Sequence, residues 1–166
     1  MRESIGATWL MGIVMVFIAL FASFLAFSIN YSKAFRVKDG IVDRIERYNG
    51  LSADCIDNID DYLNEIGYQA KGNCKKFSSN DNGNNYVGID GTSYTKNPND
   101  SQKFNYCVQR IQSDYESITT PMQSAYYKVV VFFSLTISQL DFSNRFNVTG
   151  STVTIYYPKD VNNIFN

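Results

Sequence analysis

Hydrophobic residues are concentrated in one uninterrupted segment near the start of the chain. Residues 5–29 read IGATWLMGIVMVFIALFASFLAFSI and contain neither a charged residue nor a proline. Roughly 20 apolar helical residues cross a bilayer core about 30 Å thick, so the segment can span a membrane as one tilted helix. The alternatives are a buried core helix or a cleaved signal peptide, and the length of the segment favours neither. We therefore predict a retained membrane-type helix.

The next segment, residues 30–49, has a different pattern. Its apolar positions recur at spacings of four, four and three: Val37, Ile41, Ile45 and Tyr48. This is the period of an amphipathic helix, in which Gly40 is a candidate bend and Gly50 a typical stop. The pattern predicts one helix from about Glu3 to Asn49, whose second half must pack on another element.

Small residues recur on one side of the apolar half of this helix. They form small-xxx-small pairs, which let helix backbones approach closely: Thr8 with Gly12, Ala19 with Ser23, and Ala22 with Ala26. Alanine is also a common apolar filler, so the pattern favours self-association without requiring it. Glu3 precedes the apolar segment, where a carboxylate also interacts favourably with the positive end of the helix dipole.

Beyond the long helix, the pattern first predicts a second helix and then a polar stretch. Ser52–Ile66 has an N-capping serine and an apolar face, and a glycine follows it. Tyr68–Cys74 is predicted to form a short strand. Residues 75–103 are rich in Asn, Asp, Ser and Gly, which predicts a surface loop with one short strand near Tyr86–Ile89. Its NDNGN run lacks the acidic residues of a calcium-binding loop.

The last third of the chain has the two-residue period of β-strands. Tyr106–Gln112 alternates, and Ala125–Ile137 is β-branched and aromatic without a breaker. Residues 146–149 and 152–157 are predicted to pair as a hairpin around Gly150-Ser151. The tail from Pro158 is predicted to be loose.

Together these elements predict an α+β fold of pilin-like architecture. A long N-terminal helix (residues 1–50) has a membrane or assembly part at about 5–29 and an amphipathic part at about 30–49. The amphipathic part covers an antiparallel sheet of three to four strands. Residues 51–166 form the α+β domain, which contains the polar loop 75–103.

Composition excludes several classes of function. Histidine is absent, which removes histidine bases and histidine metal ligands. The net charge of −1 provides no strong field for nucleic acid. No catalytic triad, phosphate loop or cluster of metal ligands is apparent in the sequence. We therefore expect a protein that is not an enzyme, without cofactor, metal or nucleic-acid partner.

Three cysteines lie beyond the apolar segment, at positions 55, 74 and 107. No CxxC spacing occurs, which disfavours zinc and thioredoxin-like sites. We favour a Cys74–Cys107 disulfide that closes the polar loop. Cys55 lies on the apolar face of its helix and is predicted to be a buried free thiol.

Two signals disagree about the side of the membrane on which the C-terminal domain lies. Lys33, Arg36 and Lys38 follow the apolar segment, whereas Arg2 and the amino terminus precede it. The positive-inside rule would place the domain in the cytoplasm. The cysteines and the Tyr/Asn/Ser/Thr-rich composition favour an oxidising exterior. Both orientations remain open at this point.

The combination of an N-terminal apolar helix, its amphipathic continuation and an antiparallel sheet resembles the type IV pilin superfamily. Glu3 is similar to the glutamate that begins the apolar segment of those subunits. The short N-terminus and the strand pattern look most like TadE-like minor pilins of tight-adherence pili. Pilin precursors carry a short basic leader that a peptidase removes, and no clear cleavage site is visible before Ile5.

The resemblance implies a structural subunit of a surface filament or secretion-type appendage. Such a subunit resides in the membrane and then joins a filament whose core is a bundle of N-terminal helices. Its partners would be the membrane, other copies of itself and the pilus or secretion assembly machinery. Glu3 would neutralise the amino terminus of a neighbouring subunit in the dry core.

Three other classes of function compete with a filament subunit. A single-pass membrane-anchored extracytoplasmic binding or adhesion domain needs only the apolar helix and the sheet. A structural partner of a secretion machine that never polymerises is the second. An enzyme is the class least supported by the residues present.

Overall fold

The computed structural model describes residues 2–74, 86–99, 101–112, 122–133, 136–137, 140–141, 146–158 and 164–165. Helix α1 (Arg2–Arg47) is followed by helix α2 (Ala53–Glu65) and then by strands. The strands are β1 (Tyr86–Asp90), β2 (Ser93–Lys96), β3 (Tyr106–Gln112), β4 (Met122–Phe133), β5 (Thr136–Ile137), β6 (Leu140–Asp141), β7 (Phe146–Ser151) and β8 (Ile155–Pro158). The predicted α+β class and the long N-terminal helix are confirmed.

The main sheet has six antiparallel strands, rather than the three or four predicted. Its order is β2-β1-β3-β4-β7, and β8 also pairs with β4. Two of the strands, β1 and β2, form a hairpin inside the segment predicted to be a polar loop. Gly91, with φ of 62°, lies in the two-residue turn between them. The side chains of β2 are mostly exposed, so this strand has no hydrophobic alternation to reveal it.

Strands β7 and β8 do not form the predicted hairpin. Each pairs with a different part of β4, which is long enough to accommodate both: β7 with Lys128–Phe133 and β8 with Met122–Ala125. Thr152 lies between β7 and β8 and maintains hydrogen bonding to β4 where neither strand pairs with it. Its amide donates to the Tyr127 carbonyl and its hydroxyl accepts from the Tyr127 amide, each at 2.9 Å. Gly150 and Ser151 therefore lie in a strand, not in a turn.

The predicted strand at Tyr68–Cys74 is also wrong. This segment forms only one bridge, in which the amide of Gly72 donates to Phe104 and that of Phe104 donates back, at 2.9 and 2.8 Å. A Cβ at Gly72 would overlap the ring of Phe132. The segment therefore covers the face of the sheet opposite to α1 by direct packing.

The main core lies between the two helices and the other face of the sheet. Val37, Ile41 and Ile45 of α1 are fully buried, whereas Tyr48 is 42% exposed, so the apolar stripe ends one position earlier than predicted. Helix α2 begins as predicted, with the Ser52 hydroxyl accepting from the Cys55 amide at 3.2 Å. Its buried face is Cys55, Ile56, Ile59 and Leu63.

Gly40 allows the two helices to approach closely. A Cβ at this position would overlap the ring of Tyr62. The Tyr62 hydroxyl donates to the Arg36 carbonyl at 3.3 Å, and the Arg44 guanidinium lies 3.8 Å from the centre of its ring. Helix α1 continues through Gly40, so this glycine serves packing.

The end of the chain contributes to the main core, although the sequence predicts a loose tail. Ile164 and Phe165 pack against the core. The Ile164 amide donates to the Leu51 carbonyl at 3.0 Å, and the Phe165 ring lies 6.0 Å from that of Tyr127.

A disulfide joins Cys74 to Cys107, the pair favoured from the sequence, across a Cα–Cα distance of 5.7 Å. It lies in a second buried cluster with Phe104, Val130 and Phe132, on the face of the sheet opposite to α1. The cysteines are separated by 33 positions. By loop-closure entropy, a link of this length contributes about 3–4 kcal/mol. Cys55 is a buried free thiol.

The Tyr68 hydroxyl completes the sheet where β3 begins. It accepts from the Phe132 amide at 3.0 Å, and its proton is within reach of the Phe132 carbonyl at 2.6 Å and the Asn105 carbonyl at 3.1 Å. The two Phe132 atoms are the polar groups of β4 that lie beyond the first residue of β3, and Asn105 directly precedes β3. The hydroxyl therefore replaces a missing strand neighbour.

We predict that Tyr68→Phe lowers the free energy of unfolding by about 1–3 kcal/mol, because it removes buried hydrogen bonds between the Tyr68 hydroxyl and the backbone of Phe132. Guanidinium unfolding of the detergent-solubilised chain, followed by near-ultraviolet circular dichroism, measures this loss. Tyr62→Phe is the matched control. It removes one exposed hydrogen bond and should cost less than about 1 kcal/mol. Equal losses in the two variants would contradict the role assigned to Tyr68.

A second prediction concerns Cys55, because burial raises the pKa of its thiol from 9.0 to about 12. In the native chain at pH 8, iodoacetamide should leave this thiol unmodified, and in denaturant it should modify one cysteine per chain. The raised pKa also stabilises the fold below pH 9, and this contribution is lost as the pH rises through about 12. Cys55→Ala should unfold with a weaker dependence on pH in this range. Modification of the native thiol at pH 8 would contradict the prediction.

Candidate assembly surface on the N-terminal helix

The apolar half of α1 has no cover within the described part of this chain. From Trp9 to Leu25 its large side chains are 45–75% exposed, with Trp9 at the upper end. The helix is long and apolar enough to cross a membrane, with a mean hydropathy of 2.7 over its most apolar window. Contiguous apolar surfaces of this extent are typical of segments that contact lipid or another protein surface.

The small residues predicted to pack against a neighbour lie along one side of α1. At 3.6 residues per turn, they fall within an arc of about 100°: Thr8, Gly12, Ala19, Ala22, Ser23 and Ala26. We call this the small-residue face. No atom lies within 4 Å of a Cβ built on Gly12, and the residues from Ala19 to Ala26 are exposed. The Ser23 hydroxyl donates to the Ala19 carbonyl at 2.9 Å, so it needs no partner outside the helix.

Glu3 lies on a different side of the helix. The same geometry places its Cα about 160° around the axis from Ala19. The side chains of Glu3 and Thr8 are outside the described residues, so only their backbone positions enter this comparison. Glu3 and the small-residue face therefore lie on different sides of α1.

The small-residue face lies on the same side of α1 as the sheet. Ala19 and Val37 are 18 positions apart, which is about five full turns, so the two residues have the same direction. Val37 is buried against the sheet. A second helix packed on the small-residue face would therefore lie on the side of α1 that carries the sheet, nearer to the N-terminus of α1 than the sheet is.

The contacts between α1 and β7 orient the sheet relative to the apolar half. Phe146, at the start of β7, lies against Phe27, with ring centres 5.8 Å apart. The Val153 amide, just beyond β7, donates to Glu46 at 2.8 Å. β7 therefore runs in the direction of α1, and β4 runs back towards the apolar segment. β4 therefore ends, and β7 begins, at the end of the sheet nearest the apolar segment.

Four rings form an aromatic cluster where the sheet meets the apolar segment: Phe27, Tyr31, Phe133 and Phe146. The Phe133 ring centre lies 6.0 Å from those of Phe27 and Tyr31 and 5.2 Å from that of Phe146. This cluster was not predicted from the sequence. The only available signal was the aromatic residues next to the β4–β7 connection, and their contact depends on the pairing of Phe133 with Phe146.

The described part of the domain has hollows on its surface, two of which bear on function. The first, of about 360 Å³, is next to the aromatic cluster and is lined by Asn30, Lys33, Gly67 and Gln69, among others. The Lys33 ammonium donates to the Gly67 carbonyl at 3.3 Å. The second, of about 490 Å³, contains Asp60, Asn64 and the ion pair of Lys71 with Asp90 at 2.6 Å. Among the described residues, no three Cys, Asp or Glu side chains are grouped to hold a metal ion.

No protein-family model, curated protein or solved structure matches this chain. The structure combines a sheet domain, an exposed apolar helix suited to a membrane, and a disulfide typical of oxidising compartments.

We predict that a chain lacking residues 1–30 folds as a soluble domain, because the buried residues of α1 begin at Ala34. Purified without detergent under oxidising conditions, it should elute as a single species in size-exclusion chromatography. It should retain the Cys74–Cys107 disulfide. The full chain should require detergent under the same conditions. Recovery of the shortened chain only as aggregates would contradict an independent sheet domain.

Proposed function

We propose that this chain is a structural subunit, a pilin or pseudopilin, of a bacterial surface filament or secretion-type appendage. The observation that carries the proposal is the division of α1 into two halves. The second half is built into the core of the sheet domain, whereas the first is exposed and apolar on all sides. Such a helix can be buried first by lipid and then by the helices of neighbouring subunits.

Burial of the apolar half of α1 supplies the free energy for both the membrane-inserted state and the filament. A large apolar side chain contributes about 1.5–3 kcal/mol when it leaves water. Lipid satisfies this requirement as well as protein does, so the hydrophobic effect alone does not transfer a helix from a membrane to a filament. Close packing must add to it, and the small-residue face allows backbones to approach closely enough for van der Waals contact.

The positions of the two candidate contacts favour a filament over a closed pair. Glu3 and the small-residue face lie on different sides of α1, so each subunit presents two unlike surfaces to two neighbours. Contacts between unlike surfaces continue from subunit to subunit and produce helical filaments when the rotation does not close. In this arrangement the Glu3 carboxylate neutralises the amino terminus of a neighbouring chain.

An extracytoplasmic position of the domain is part of the proposal. The disulfide supports it, because structural disulfides persist mainly in oxidising compartments. Lys33, Arg36 and Lys38 are the opposing signal. Flanking charge has little influence on the translocation of long domains, so we give the disulfide more weight.

The second candidate function is a single-pass membrane-anchored binding or adhesion domain that does not polymerise. The hollow around Asp60 and the Lys71–Asp90 ion pair favours it, because a filament made through α1 has no need of this polar surface. In this case α1 serves only as an anchor. Glu3 then remains hydrated in the headgroup region.

Substitution of Glu3 distinguishes the two functions. In a filament, loss of one partner of a buried ion pair costs about 3–5 kcal/mol at every subunit, so Glu3→Ala and Glu3→Gln should abolish or sharply reduce filaments. The membrane-bound pool should persist. In a lone anchor, the interaction with the helix terminus contributes only about 0.3–1 kcal/mol, and neither variant should change membrane level or folding.

The measurement is negative-stain microscopy of material sheared from cells that express the complete assembly machinery, with immunoblots of the membrane fraction. Ser4→Ala is the matched control, because it alters the adjacent position without removing a charge. Normal filaments from both Glu3 variants would exclude the charge-pairing role. Absence of filaments from the unsubstituted chain would favour the anchored binding domain.

A further inference from the structure

The aromatic cluster lies at the level where a membrane around α1 would end. Trp9 and Tyr31 are 22 positions apart, which is about 33 Å along a helix, and a bilayer core is about 30 Å thick. A helix tilt of about 20°, the average for membrane spans, brings these two lengths closer together. With Trp9 at one interface, the opposite interface falls between Phe27 and Tyr31. Both residues belong to the aromatic cluster.

The sheet reaches the same level, because two rings of the cluster belong to it. Phe133 ends β4, and Phe146 begins β7. Both contact Phe27, which lies inside the apolar segment. No flexible linker separates the sheet from the apolar segment, since α1 is one helix from Arg2 to Arg47. When α1 crosses a bilayer, this end of the sheet must therefore meet the lipid surface.

We infer that the aromatic cluster is a lipid-binding surface that fixes the depth of the sheet domain at the membrane interface. Tyrosine and tryptophan favour this zone, where one ring contacts both acyl chains and water. Tyr31 provides such a ring, and the three phenylalanines add apolar surface for the acyl chains. Phe27 and Phe146 are half-buried, and Tyr31 is 45% exposed, so the cluster retains surface for lipid. Lys33 lies two positions beyond Tyr31, at the height of the phosphate groups. Its ammonium donates one hydrogen bond to the Gly67 carbonyl at 3.3 Å and has two further donors for the phosphates.

The inference rests on insertion of α1 into a bilayer, which both candidate functions share. It differs from filament assembly in what contacts the protein: lipid contacts the aromatic cluster, whereas other subunits contact α1 in a filament. It also makes Trp9 the counterpart of the cluster at the other interface. The two sets of rings together define the thickness of membrane that the chain fits.

Depth-dependent fluorescence quenching tests the inference with the full chain in phosphatidylcholine vesicles. The lipids carry bromine either near the carbonyl end or near the methyl end of the acyl chain. Trp9→Phe removes the single natural tryptophan. In that background, Phe146→Trp and Tyr31→Trp report on the cluster, and Phe17→Trp reports on insertion. Tyr156→Trp is the matched control, because Tyr156 is exposed on β8, at the end of the sheet far from the apolar segment.

Bromine near the carbonyl end should reduce the emission of the Phe146→Trp and Tyr31→Trp variants by about twofold and more strongly than bromine near the methyl end. The Tyr156→Trp variant should be unaffected. Natural Trp9 should show the same shallow quenching. Tyr31→Trp keeps the test valid when Phe146→Trp misfolds, because Tyr31 contributes little to the buried core.

Three results would overturn the inference. Quenching of the Phe17→Trp variant without quenching of the two cluster variants would show insertion without contact between the sheet and lipid. No quenching of the Phe17→Trp variant would also exclude insertion, and both candidate functions with it. Unquenched cluster variants whose emission shifts with the ratio of protein to lipid would show that a second copy of the chain covers the cluster.

Discussion

Burial of Val37, Ile41 and Ile45 against the sheet is the contact on which the rest of the structure depends. The apolar side chains on this face of the sheet must be shielded from water. Helix α1 shields them as part of one continuous helix that also contains the apolar segment. Because one helix provides both this cover and the apolar segment, the position of the sheet relative to that segment is fixed. The direction of the small-residue face and the level of the aromatic cluster follow from the same contact.

The sequence predicted those elements whose pattern is long and strong. Both helices, the N-cap at Ser52, strands β1 and β3 and the core of β4 were recognisable, because their periodicity persists over several residues. The Cys74–Cys107 pair was accessible because only three cysteines are present and one lies on a helix face. On the apolar half of α1, the small-residue face could be predicted from the helical spacing of its residues alone. The predicted roles of Glu3 and of this face in assembly stay predictions.

The elements that were missed depend on information that local patterns do not contain. Strand β2 is mostly exposed, so no alternation marks it. Gly150-Ser151 looks like a turn, yet the length of β4 lets β7 and β8 pair with it separately. The aromatic cluster requires residues about a hundred positions apart to meet. In the last two cases, a contact distant in sequence determines the local structure.

The continuity of α1 through Gly40 also has a mechanical consequence. Its backbone hydrogen bonds run without a break from Arg2 to Arg47, and the helix contains no proline. Torque applied to the sheet domain is therefore transmitted along the axis of α1, and the apolar half rotates together with the domain. The rotational angle of the sheet domain therefore sets that of the small-residue face, and a pull on the domain moves the whole helix as one rigid piece.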